Sequence, residues 1–205
     1  MALLVAACTS SGVTTATEGS NTSFGDRFRS AMASGSATPA PAPVVGGTTN
    51  LDDCPAVTLR QGAATYTINS DSRDPSAMAL RYQVSIGQTA RECANVAGTL
   101  TIRVGMQGRV VLGPAGGPGT INVPIRYALV EEGPEPKTVY TKLHTVPVTI
   151  AEGQPHVTFT HIEEEMAVPM PSPGVFQRYV VYVGFDPLGA QERRPPARKR
   201  TPRQS

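Results

Sequence analysis

The chain has 205 residues, of which 40% are hydrophobic, so it can form one domain with a sizeable core and still leave polar flanks outside it. Its net charge of +2 is divided unevenly, because residues 191–205 hold six basic residues and one acid and the remainder therefore carries −3. No stretch of this sequence approaches the roughly 20 apolar residues of a transmembrane helix, which excludes a helical span within it.

The N-terminus carries the first motif. Val5-Ala6-Ala7-Cys8 resembles the lipobox of bacterial lipoproteins, in which small residues precede a cysteine that becomes the acylated N-terminus. The resemblance implies lipidation of Cys8, and Thr9, which is not aspartate, implies sorting to the outer membrane, facing the periplasm. No Lys or Arg precedes Cys8 and the apolar run is shorter than a secretory signal requires, so we interpret residues 1–8 as a truncated lipoprotein signal. The alternative is an ordinary apolar N-terminus with an unrelated cysteine.

Residues 9–50 are rich in Ser, Thr, Ala and Pro and predict a disordered tether, because this composition cannot bury enough apolar surface to offset chain entropy. Within it, the alternating Pro and Ala of residues 38–43 favour extended polyproline II. Phe24, Phe28 and Met32 recur every four residues and could form a short amphipathic helix that docks in the groove of a partner. The alternative is an apolar turn without a role, since a free helix of this length is marginal.

From residue 51 to residue 188, apolar and polar residues alternate with period two, as in strands with one buried face. Turns rich in Gly and Pro separate the alternating runs. The sequence therefore predicts an all-β domain over 51–188, an antiparallel β-sandwich of immunoglobulin-like architecture, with a closed barrel as the alternative. The predicted strands are 57–59, 66–68, 80–86, 99–106, 109–112, 121–129, 146–150, 157–159 and 175–185.

Three details of these runs make sharper predictions. The glycines of residues 105–108 predict a turn between two strands. Pro124 and Pro147 lie inside strand patterns, where proline favours an edge strand or a bulge. In residues 139–150 the apolar parity switches, which predicts a bulge near His144.

Cys54 and Cys93 remain once Cys8 is assigned to the lipid. The export that the lipobox implies makes a disulfide between them the favoured interpretation, because exported proteins fold in compartments that permit disulfides. Closing a loop of about 39 residues would stabilise the fold by roughly 4 kcal/mol in the chain-entropy model. The alternative is two buried free thiols, which pack as small hydrophobic side chains.

No motif of catalysis or of cofactor binding stands out. His144, His156 and His161 lack the spacing of a metal motif, although a zinc site could form if two or three of them converged with a carboxylate of residues 163–165. His156 and His161 are five apart, which places them on opposite faces of a strand. The acidic triplet 163–165 is interpreted as solvated. The glycine-rich loop 113–119 lacks the Gly-Lys-Ser/Thr that cradles phosphate, and we predict no enzyme, no cofactor and no metal site.

Residues 189–205 predict a basic disordered tail. Six cations on a Pro-rich segment could follow the surface of an anionic lipid or polymer. Nucleic acid would bind by the same physics, but an exported protein rarely meets it. The alternative is a solubilising terminus with no fixed partner. The six cations are Arg193, Arg194, Arg198, Lys199, Arg200 and Arg203.

Together these features predict a lipid-anchored periplasmic envelope protein that acts as a binding or structural module without catalysis, with an envelope protein as its candidate partner. A carrier or enzyme acting on an envelope molecule is the first alternative. It would require a concave pocket with convergent polar groups, such as His144 or His161 beside carboxylates. The second alternative is a soluble β-domain protein of unknown role, which reduced Cys54 and Cys93 would favour.

Overall fold

The computed structural model describes residues 24–33 and 54–192. Within them the chain forms α1 (Phe24–Ala33), β1 (Ala56–Leu59), β2 (Thr65–Asn69), a 3-10 turn (Ala77–Ala79), β3 (Leu80–Val96), β4 (Thr99–Leu112), β5 (Gly119–Glu131), β6 (Lys137–Ile150), β7 (His156–Pro169), α2 (Pro173–Phe176), β8 (Tyr179–Phe185) and α3 (Pro187–Glu192). The predicted signal with Cys8 and the six cations of the predicted tail lie outside the described residues.

The eight strands of this part of the chain form two four-stranded sheets. The first sheet has the order β1-β8-β5-β6 and the second has the order β2-β3-β4-β7. Neighbouring strands are antiparallel except β1, which runs parallel to β8. One continuous core lies between the sheets, and its fully buried members include Leu100, Ile102, Ile125 and Leu129. The prediction of an all-β sandwich of mainly antiparallel sheets is therefore confirmed.

A disulfide joins Cys54, just before β1, to Cys93 in β3. Their Cα atoms are 5.7 Å apart and both residues are buried. Because β1 belongs to the first sheet and β3 to the second, the bond links the two layers of the sandwich. The predicted pairing of these two cysteines is confirmed.

The turn predicted over residues 105–108 is wrong, because β4 runs through it without interruption. Gly105 points to the outer face of the second sheet, where a Cβ would lie 2.9 Å from the ring of Phe28. Gly108 points to the core, where a Cβ would overlap the ring of Phe159. These glycines leave room for aromatic rings, and that use of glycine has the same sequence signal as a turn.

The two prolines lie in different kinds of strand. Pro147 lies in β6, an edge strand, as predicted. Pro124 lies in β5, which has neighbours on both sides, so an edge position is wrong for this residue. Proline is tolerated there because pairing of β5 with β8 begins only at Ile125, opposite Phe185. Beyond that point the main chain of Asp186 approaches instead, donating its N–H to the Pro124 carbonyl at 3.0 Å.

The bulge in β6 lies at Val139 rather than near His144, because the register of β5 and β6 shifts only between Leu129 and Val130. The parity switch has another cause. Leu143 is buried on the outer face of the first sheet, the face against which α3 packs, whereas Val148 faces the core. Both faces of β6 therefore carry buried apolar side chains without a change of register.

Helix α1 forms inside the segment predicted as a tether. Phe24 and Phe28 are buried, with 7% and 2% of their surface exposed, and their rings stack at 6.1 Å between centroids. The helix contacts β3 and β4, so these aromatic residues dock on the chain's own sheet. Of the two alternatives for these residues, the amphipathic helix is present, but it docks on the chain's own sheet and not in the groove of a partner. The side chain of Met32 lies outside the described residues.

Candidate functional site

The most polar part of the interior lies where β6 and β7, the edge strands of the two sheets, face each other. We call this cluster the polar seam. Its members come from three strands, with Tyr127 on β5, Tyr140, Lys142 and His144 on β6, and His161, Glu163 and Glu165 on β7.

Glu163 occupies the centre of the polar seam and is only 1% exposed. His144 Nε2 donates to its Oε2, while its Oε1 accepts hydrogen bonds from the Tyr140 hydroxyl at 3.3 Å and from the main-chain N–H of Glu165 at 2.7 Å. A bulge between the positions opposite Ile102 and Val104 lies at this point of β7. A buried carboxylate is costly unless it is paired and hydrogen-bonded, and Glu163 is both.

The interpretation of residues 163–165 as a solvated triplet is therefore wrong for Glu163. Glu164 and Glu165 are exposed, and Glu165 forms an ion pair with Lys142 at the solvent edge of the polar seam. This ion pair raises the pKa of Lys142 and lowers that of Glu165, chiefly through their hydrogen bond. Glu163 shares the inward parity of Phe159 and His161, and the bulge that follows it turns Glu165 away from the core.

His161 lies beside this pair as a neutral partner. Burial, and next the electrostatic influence of His144, lower the pKa of His161 from 6.5 to about 4, although Glu163 acts in the opposite direction. A hydrogen bond of 3.0 Å joins the Tyr127 hydroxyl and His161 Nδ1. Burial and then the charge of Glu163 raise the pKa of Tyr127 above its usual range and that of Tyr140 to about 12. Both tyrosines therefore stay protonated as hydrogen-bond donors.

Two of the three histidines thus converge with a carboxylate, as a zinc site would require, with the rings of His144 and His161 4.5 Å apart. In the part of the chain that the structure describes, however, no three His, Cys, Asp or Glu side chains are arranged to hold a metal ion. His156 is exposed at the start of β7, on the face opposite that of His161, which confirms the prediction for this pair.

A second candidate lies on the outer face of the first sheet. There a pocket of about 400 Å³ has the small residues Ala128 and Gly184 on its floor. We call it the arginine pocket because Arg60 and Arg126 line it. Arg126 Nε lies 2.5 Å from Asp186 Oδ2. The pKa of Asp186 is lowered even though burial opposes this, because the Gly189 N–H and Arg126 stabilise the charged carboxylate.

Sequence reasoning missed the arginine pocket, although one signal for it was present. Gly184 interrupts an apolar strand, and glycine in a strand often marks the close approach of another segment. A Cβ at Gly184 would lie 2.7 Å from the Cβ of Ala63, so the turn after β1 packs directly on this glycine. That turn raises one wall of the pocket above the sheet.

The described residues contain no helix long and apolar enough to cross a membrane. They form an all-β structure of two packed sheets, with a buried polar seam along one side and an open pocket on one outer face. No protein-family model, curated protein or solved structure matches the chain.

Proposed function

We propose that this protein is a lipid-anchored, outer-membrane envelope protein of the periplasm that acts as a binding or structural module without catalysis. The observation that carries the proposal is the disulfide between Cys54 and Cys93. Structural disulfides persist in oxidising compartments and are rare in the cytosol. The bond therefore supports the export that the lipobox-like residues before Cys8 imply.

A binding role fits the two polar sites better than a catalytic one. Both carboxylate oxygens of Glu163 accept hydrogen bonds within the polar seam, and at 1% exposure this carboxylate has little surface to offer a substrate. The arginine pocket is concave and open, and its guanidinium groups can orient a polar ligand. Anionic lipid or polymer held by the basic tail would be a further contact of the same kind.

For the sandwich itself we propose a likeness to immunoglobulin domains in architecture alone. Two mainly antiparallel sheets enclose one core, as in those domains. The strand order differs, since the sheets here have the orders β1-β8-β5-β6 and β2-β3-β4-β7.

One observation favours a second candidate, a carrier or enzyme acting on an envelope molecule. His144 contacts the buried carboxylate of Glu163, which is an arrangement that general acid–base catalysis uses. This candidate requires a path from solvent to the pair, and the arginine pocket lies instead on the outer face of the first sheet.

The proposal is tested by the intact mass of the protein isolated from its native membrane fraction, measured with and without reduction. We expect a chain that begins at Cys8 and carries added acyl mass, with a further gain of about 2 Da on reduction of the disulfide. A Cys8→Ser variant is the matched control and should carry no acyl mass while still gaining about 2 Da on reduction. An unprocessed chain with no acyl mass would remove the anchor from the proposal, and reduced Cys54 and Cys93 in native material would support the soluble alternative.

The binding role has its own test. A photoreactive residue in place of Ala128, on the floor of the arginine pocket, should crosslink an envelope component in cells. The same residue in place of Thr101, on the outer face of the second sheet, serves as the matched control. Equal crosslinking from both positions would contradict a binding role for the pocket.

A further inference from the structure

The seat of α1 on the second sheet is shaped for an aromatic ring. Gly105 lies between the fully buried Val104 and Met106 and therefore points away from the core. The ring of Phe28 covers it so closely that a Cβ at Gly105 would lie 2.9 Å from three ring atoms. In the register of the sheet, Ala90 and Ile162 stand on either side of Gly105. One absent side chain thus creates the gap that Phe28 fills.

The helix depends on this seat. A free helix of ten residues is marginal in water, so α1 gains most of its stability from docking. Its docked side carries Phe24 and Phe28, one turn apart and stacked, while Asp26, Arg29 and Ser30 are exposed. The core between the sheets contains neither Phe24 nor Phe28, so release of α1 from the outer face of the second sheet leaves the sandwich intact.

The position of α1 in the chain gives this docking a consequence. Phe24 follows Cys8 by 16 residues, whereas Cys54, where the sandwich begins, follows Cys8 by 46 residues. At about 3.4 Å per residue, the greatest span from Cys8 to the sandwich is about 55 Å with α1 docked and about 155 Å with α1 released.

We propose that α1 is a releasable clasp: docking of Phe28 over Gly105 keeps the sandwich within 16 residues of Cys8, and release of the helix roughly triples the greatest distance that the sandwich can reach from that residue. The docking equilibrium is a property of the chain alone. The consequence for distance from a membrane rests on the lipid anchor of the proposed function.

Docking is tested first, by trypsin cleavage after Arg29 in the full chain, followed by mass spectrometry. Cleavage of a segment that must open tracks the population of its open form. We expect Gly105→Ala and Phe28→Ala each to speed this cut by at least about tenfold. Gly87→Ala is the matched control, since a Cβ there meets only the Gln107 carbonyl oxygen at 3.7 Å. In the double variant, the effects of Gly105→Ala and Phe28→Ala on the cleavage rate should not add, because both substitutions remove the same contact.

Reach is tested on a bilayer. Cys8 is the only thiol outside the disulfide in this sequence, so a maleimide lipid attaches there without any cellular lipidation. We expect neutron reflectometry to place the sandwich farther from the bilayer in the Gly105→Ala and Phe28→Ala variants than in the wild type and Gly87→Ala.

Two results would overturn the clasp. One is equally fast cleavage after Arg29 in the wild type and the variants. The other is an unchanged height above the bilayer in variants whose helix trypsin shows to be released. Neither result bears on the native anchor, because the lipid is attached chemically. Failure of the proposed function would instead appear as a missing acyl mass in the native protein.

Discussion

At the scale of single residues, Glu163 is the residue on which the polar seam depends. Its carboxylate is 1% exposed and accepts a hydrogen bond from His144. Glu165, two residues along the same strand, has a side chain that is 76% exposed. Leaving a buried hydrogen-bonding group without its partner costs about 1–3 kcal/mol, whereas an exposed group finds a new partner in water.

We therefore predict that Glu163→Gln lowers the free energy of unfolding by about 2–3 kcal/mol, because an amide nitrogen replaces one of the oxygens that accept hydrogen bonds in the polar seam. The same change at the matched position, Glu165→Gln, should lower it far less, because that side chain is exposed. Urea denaturation at pH 7.5 measures both. A similar small loss in the two variants would contradict the assignment of Glu163 as the buried hydrogen-bonding centre of the polar seam.

His161 predicts how stability depends on pH. Its pKa falls from 6.5 in the unfolded chain to about 4 in the fold. Between these two pH values the unfolded chain binds a proton at His161 that the folded protein does not bind. The contribution of neutral His161 to the free energy of unfolding is therefore complete above pH 6.5 and is lost as the pH falls towards 4. Allowing for partial solvent exposure, the loss is on the order of 2 kcal/mol.

His161→Asn tests this contribution, because asparagine does not titrate and still offers an oxygen to the Tyr127 hydroxyl. In urea denaturation between pH 5 and pH 6.5, the variant should lose less stability than the wild type as the pH falls. His156→Asn, the same change at an exposed histidine of β7, should behave as the wild type. Carboxylates with a lowered pKa, such as Asp186 with its ordinary value of 3.8, act at lower pH and do not obscure this window.

At the scale of elements, β1 shows the need for a covalent link. It has four residues, lies at the edge of the first sheet and pairs only with β8. The neighbouring disulfide ties it to β3 in the other sheet. In the chain-entropy model this bond stabilises the fold by roughly 4 kcal/mol, because it closes a long loop in the unfolded chain.

The double variant Cys54→Ala/Cys93→Ala should therefore unfold with about 2–4 kcal/mol less free energy than the wild type. Hydrogen exchange should show the amides of β1 losing protection before those of β5, a central strand. Cys8→Ser is the control and should leave both measurements unchanged. Equal stability of the double variant and the wild type would contradict a structural role for the bond.

The elements also show what alternation can and cannot predict. Period two located β1, β2 and β5, because their apolar residues alternate with polar ones. It gave only residues 146–150 of β6 and 157–159 of β7, because the rest of both strands carries polar side chains on the inward face as well. It ended β3 too early, since the strand continues past a bulge at Gly87 to Val96. It also began the last strand too early, because Pro173–Phe176 form a short helix. Gly105 and Gly108 of β4 were predicted as a turn, but they make room for aromatic rings of other elements, and local sequence does not encode that packing.

At the scale of the whole molecule, the sequence predicts the polar seam only conditionally, as a site that would form if two or three histidines converged with a carboxylate of residues 163–165. The side chains that its hydrogen bonds join stand 19–34 residues apart in sequence, as in the pairs His144–Glu163 and Tyr127–His161. They meet because β6 and β7 end up as facing edges of different sheets, which depends on strand order and not on any local pattern. Convergence of two histidines with a carboxylate was the stated requirement for a zinc site. In the structure, each of these side chains has a hydrogen-bond partner within the polar seam.

Charge distribution makes the last prediction, which concerns the complete chain. Residues 193–205 contain six cations and no acid, so a chain that ends at Glu192 has a net charge of −4 where the full chain has +2. Each cation beside an anionic membrane contributes on the order of 1 kcal/mol, and salt weakens this within a Debye length.

The full chain without its lipid should therefore sediment with vesicles that contain about one-third anionic lipid at low salt, and salt near 0.5 M should release it. The chain ending at Glu192 should stay in the supernatant, because its remaining charge is repelled. Zwitterionic vesicles control for apolar adsorption. Equal sedimentation of the two chains would assign the attraction to another surface of the sandwich and leave the basic tail without a membrane role.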